Sequence, residues 1–152
     1  MSNDGKRKSP RHGVNRHQAR QSALEVLYAW HAGGDDRADV AHLLRDRIDE
    51  RDKQDKVYLS ELVHGVTESH AKIDAHIIKV LPHNALTNIG SIELAILRLA
   101  CWELWQRLEI PYRVVLNEAL ELSHEYADDP APGFVNGVLD RLARELRPQE
   151  VT

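Results

Sequence analysis

A chain of 152 residues, 42% of them hydrophobic and 29% charged, is long enough for one soluble domain with a core of its own. Cys101 is the only cysteine, which excludes an internal disulfide and nearly excludes a Cys-based zinc site. No apolar run reaches membrane-span length and the basic N-terminus lacks the apolar region of a secretory signal, so the expected compartment is the cytoplasm.

The net charge of −4 conceals an asymmetry. Residues 1–20 carry Lys6, Arg7, Lys8, Arg11, Arg16 and Arg20 against Asp4 alone, a net of +5, and the remainder carries −9. A basic end on an acidic body points to nucleic acid, with binding confined to the basic end because the body repels RNA. Residues 1–14 hold Gly5, Pro10 and Gly13 without an apolar period and read as a flexible basic arm. Asn15 reads as the N-cap of the first helix, with Gln18 completing a capping box. Ala19, Ala23, Val26, Leu27 and Trp30 recur at helical spacing up to the Gly33-Gly34 stop. Arg16 and Arg20 fall one turn apart on that helix. Near a helix N-terminus cations are disfavoured unless an anion compensates, which points to phosphate.

Asp35 or Asp36 caps a second helix with the stripe Val40, Leu43, Leu44 and Ile48, and the charged run from Arg45 to Lys56 reads as solvated surface or turn. From Lys56 one apolar line, Leu59, Leu62, Val66, Ile73, Ile77 and Leu81, runs to Pro82. His83 to Gly90 is a connector. Ser91 caps the most apolar helix, Ile92 to Leu108, which reads as central, with Arg98 requiring a partner if it is covered. Two further helices follow, about Tyr112 to Tyr126 and Pro132 to Leu146, with Arg147-Pro148 as the stop and 149–152 as a tail. No segment alternates with period two, so the class is all-α with about six or seven helices.

Enzymatic and metal chemistry find little support in these patterns. Glu61 with His64 and Glu121 with His124 have the spacing of di-iron bundles, but both pairs fall on polar helix lines. Cys101 lies in an apolar helix and reads as a buried thiol. Phosphate-cradling glycine loops and nucleophile elbows are absent from the sequence. The residues therefore favour a binding protein without catalysis or cofactor.

RHQARQSALEVLYAW (16–30), AILRLACWEL (95–104), PYRVVLNEALELS (111–123) and GFVNGVLDRL (133–142) resemble, in this order, segments of the bacterial transcription antitermination factor family NusB. The resemblance covers residues 15–148. It implies two small helical bundles packed across each other, and binding of single-stranded boxA RNA from ribosomal RNA leaders. It also implies work together with the small-subunit ribosomal protein that serves as NusE, the other Nus factors and RNA polymerase, with no membrane partner. On this resemblance Arg16 and Arg20 match RNA-binding arginines, with Arg11 in the arm beside them. His17 stands where arginine is common, making its contact weaker at neutral pH and sensitive to pH. Phe134 matches an aromatic position near the RNA, whereas pattern alone allows it to be core. Glu93 matches a position of the ribosomal-protein contact, and it also suits a first-turn acid. Alternatives are the NusB-like RNA-binding domain of ribosomal RNA cytosine methyltransferases, which requires a Rossmann-like domain not present in these 152 residues, and a helical adaptor that binds proteins only.

Overall fold

The structure, a computed structural model, describes residues 4–81, 86–128 and 130–151, the stretch 4–12 as backbone only. Seven α-helices and no strands occur among them. The chain divides into two compact units, Met1–His64 and Gly65–Thr152.

In the first unit α1 (Asp4–Ala32) begins well before Asn15. The expected N-cap is thus an interior residue, and Gln18 closes no capping box: its Oε1 is buried without a hydrogen-bond partner. Once Ala19, Ala23, Leu24, Val26, Leu27 and Trp30 are buried, extending the helix backwards needs no new nucleus, so a stretch without apolar period can still be helical. α1 stops where glycine was expected to stop it. Gly34 (φ +96°) and Asp35 (φ +59°) turn left-handed, and the Asp35 N–H donates back to the Trp30 carbonyl at 3.1 Å. Asp36 then caps a short 3₁₀ turn by accepting from the Ala38 N–H at 2.9 Å, leading into α2 (Val40–Arg47).

The charged run after α2 is not merely solvated, contrary to the sequence reading. Arg51 donates to Ser22 Oγ at 2.8 Å and to Glu25 at 2.9 Å, and the buried Gln54 amide donates to the carbonyls of Arg47 and Ile48, each at 3.0 Å. The first pair ties this loop to α1; the second satisfies carbonyls left open by the end of α2.

The single apolar line after Lys56 is two helices, α3 (Lys56–Glu68) and α4 (His70–Val80). Ser69 interrupts them at φ −117°. A one-residue break leaves the hydrophobic spacing in phase, so periodicity alone reads it as continuous. Gly65 of α3 has a specific reason to be glycine: a Cβ there would lie 2.3 Å from the Trp102 ring.

The second unit is built around α5 (Ser91–Gln106), which packs against α4, α6 (Tyr112–Tyr126) and α7 (Ala131–Leu146). Its residues from Leu94 to Leu104 are buried without interruption, as a helix apolar nearly all round requires. Gly90, not Ser91, is its N-cap, and Leu108, expected to face inward, lies beyond its end and is 65% exposed. The connector contains a 3₁₀ turn at Leu86–Asn88, while Pro82 and His83 lie outside the described residues.

Two arginines hold this unit together. Arg98, buried in α5, donates through Nε and Nη2 to Asp74 at 2.9 and 2.8 Å. Arg147, just past α7, donates to the carbonyls of Glu103, Leu104, Ile110 and Arg107, so one guanidinium closes the C-terminal end of α5. Glu150, in the expected tail, accepts from Arg147 at 3.0 Å and from the Tyr112 N–H at 2.8 Å at the start of α6, and those bonds hold its carboxyl below the usual range. Cys101 is buried as expected. Burial, helped by the Asp74 carboxylate, pushes its thiol up to about 12, so it stays protonated at neutral pH.

Asp74→Ala leaves the Arg98 charge buried without its carboxylate and should cost roughly 3 kcal/mol in urea unfolding. A loss below about 0.5 kcal/mol would mean that the pair does not hold α4 to α5.

Candidate nucleic-acid interface

The arginine-rich stretch of α1 is organised by a side chain that the hydrophobic pattern did not single out. Tyr58, in the first turn of α3, is 1% exposed. The Arg16 guanidinium carbon lies 4.3 Å from its ring centroid and that of Arg20 lies 5.5 Å away. Both cations therefore use the negative face of one ring, a contact worth about 0.5–2 kcal/mol depending on how dry it is. Asp55 sets the ring in place. Its carboxylate accepts from the Tyr58 N–H at 2.9 Å, capping α3, and its own N–H donates to the Asn15 carbonyl at 3.1 Å. The residue preceding Arg16 is thereby pinned to the start of the helix that carries the ring.

The two arginines, read from sequence as equivalent, differ in access. Arg20 is 3% exposed. Arg16 is half-buried, its Nε is sealed from solvent without a hydrogen-bond partner, and the remaining access lies on its other atoms. His17 beside it is half-buried as well, and the side chain of Arg11 lies outside the described residues. The dipole argument for these cations also changes. A helix that begins at Asp4 places Arg16 and Arg20 several turns from its N-terminus, beyond the reach of the end charge. What singles Arg16 out is its stack on a buried ring.

In the second unit, a cleft of about 300 Å³ is lined by Asn88, Gly90, Glu93, Asp128, Pro130 and Phe134, among others. Phe134 is 40% exposed in the first turns of α7, while Val135, Val138, Leu139 and Leu142 of the same helix are buried. Its ring faces outward, which resolves the choice between core and surface that spacing left open. Glu93 occupies the first turn of α5, and its carboxylate folds over Gly90 so closely that a Cβ there would meet Oε1 at 2.3 Å. Phe134 and Glu93, read from sequence as belonging to an RNA contact and a protein contact, thus line one cleft. Glu61, His64, Glu121 and His124 are all exposed, in keeping with their polar helix lines. No helix among the described residues is long and apolar enough to cross a membrane.

Comparison with known proteins is consistent in sequence and structure. The profile of the NusB family matches residues 17–144. A transcription antitermination protein NusB of Pseudomonas fluorescens (strain Pf-5) is 39% identical over 142 residues, covering 93% of this chain and 84% of that protein. The NusB of Serratia proteamaculans is 39% identical over 132 residues, covering 87% and 94%. Among solved structures, T. maritima NusB superposes with a TM-score of 0.79 at 29% identity, covering 90% of this chain and 95% of that one. A chain from a complex of antitermination factors NusB and NusE with double-stranded RNA superposes at 0.73, also at 29% identity, covering 87% and 98%.

The difference in burial predicts different stability costs. Arg20→Ala should lose roughly 2 kcal/mol in chemical unfolding, since it removes a buried side chain from the ring, and Phe134→Ala about 1 kcal/mol or less. A Phe134→Ala loss of about 3 kcal/mol or more would instead mark that ring as core.

Proposed function

Because the chain belongs to the NusB family, we propose that it is an RNA-binding transcription antitermination factor. It reads boxA RNA of ribosomal RNA leaders together with the ribosomal protein NusE, and acts with the other Nus factors on elongating RNA polymerase in the bacterial cytoplasm. It carries out no catalysis and needs no cofactor. The observation that carries this reading is the partly accessible Arg16, stacked on Tyr58 immediately before the family-matched region.

In this mechanism Arg16 and His17 bind phosphates from α1, with Arg11 as a further cation of the basic end. The acidic remainder of the chain repels RNA from other faces. Arg20, being buried against the same ring, belongs to the support of Arg16 and not to the RNA contact. Phe134 offers an exposed face for stacking on an unpaired base. Glu93, in the same cleft, faces the ribosomal-protein partner, so RNA and protein meet there. A bound partner extends the surface available to the RNA, so affinity rises in the heterodimer.

Arg11→Ala combined with Arg16→Ala removes two phosphate contacts. The slope of log affinity against log salt for single-stranded boxA RNA should flatten by about 1.4. Titration at several salt concentrations, with and without NusE and with a duplex RNA control, measures it. An unchanged slope would remove these arginines from the interface, and no RNA shift with or without NusE would favour a protein-only adaptor.

A further inference from the structure

We propose that Tyr58 is the positioning residue of the RNA contact, its buried ring holding the Arg16 guanidinium flat so that its terminal nitrogens are presented to a phosphate. The inference rests on the reading that Arg16 touches RNA. It adds a residue that is not itself cationic and does not itself meet the nucleic acid.

The geometry supplies three reasons. At 4.3 Å from the centroid, the guanidinium is in stacking contact with a ring that is 1% exposed and therefore fixed by its own packing. Arg16 Nε is sealed off, so the access left to this half-buried side chain lies on its other atoms. Arg20 approaches the same ring from one turn further along α1. Two like charges at this spacing repel, and the ring's negative face offsets that repulsion. The ring leaves the charge of Arg16 open to an anion. Asp55 completes the device by linking Asn15 of α1 to the cap of α3, which sets the ring opposite Arg16.

An arginine fixed before binding has less rotamer freedom to lose when it meets phosphate, which corresponds to about fivefold in affinity for one such side chain. Tyr58 therefore acts on RNA affinity through Arg16 and not through contact.

The test is anisotropy titration of labelled single-stranded boxA RNA with the full chain, the folded fraction checked by circular dichroism. Tyr58→Phe keeps the ring and should bind within about twofold of wild type, whereas Tyr58→Leu should bind about fivefold more weakly. In an Arg16→Ala background Tyr58→Leu should have no further effect, because the ring has lost the group it positions. Arg16→Lys, which leaves the core intact, retains the charge but loses the flat fork; it should weaken binding about as much as Tyr58→Leu, and it carries the test if the leucine variant does not fold. Wild-type affinity for Tyr58→Leu or Arg16→Lys, or a Tyr58→Leu loss that persists in the Arg16→Ala background, would overturn the assignment. Unchanged binding by Arg16→Ala itself would instead overturn the RNA reading on which it rests.

Discussion

An arginine side chain keeps its proton at any pH a cell reaches, so a fold that buries one must surround it with oxygen atoms or an aromatic face. This constraint shapes both units of the protein. Arg98 is met by the two oxygens of Asp74, Arg147 by four carbonyls and Glu150, and Arg51 by Glu25 and Ser22. Arg16 and Arg20 share the face of Tyr58. The difference in chemistry separates their roles. Carboxylates and carbonyls hold their arginines inside the fold, whereas an aromatic face leaves the charge of Arg16 available to something else.

The same economy explains how the second unit closes. α5 is buried from Leu94 to Leu104, so the carbonyls of Glu103 and Leu104 near its end take their donors from the protein. Arg147 brings several donors to that one point from beyond α7, and Glu150 then reaches the start of α6. One short C-terminal stretch therefore joins the ends of three helices. In the first unit Asp55 has the equivalent place, bonded through its backbone to α1 and through its side chain to α3.

Hydrophobic spacing made much of this fold legible. Ala19, Ala23, Val26, Leu27 and Trp30 of α1, the unbroken run of α5, and Val135, Val138, Leu139 and Leu142 of α7 are buried as their spacing demands, and Gly33-Gly34 ends α1. Spacing failed where a feature leaves no periodic trace. The break at Ser69 preserves phase, and the backward extension of α1 from Asn15 to Asp4 follows from a core further along the helix. Polar residues that act at long range were equally hidden. Arg147 reads as a stop, Glu150 as tail and Gln54 as surface, because their partners lie tens of residues away or are backbone atoms. At the candidate interface, Arg16 was legible from its charge and position, but the burial of Arg20 was not. Both arginines have the same type and helical environment in sequence; only the tertiary placement of Tyr58 distinguishes them.

The central claim is this division of labour among arginines, and side-chain NMR of the arginine Nε–H groups during an RNA titration tests it most directly. The account predicts that the Arg16 signal moves in proportion to boxA RNA bound, while those of Arg98 and Arg147, each held by internal oxygens, stay in place. An Arg16 signal that does not move while the complex forms would contradict it.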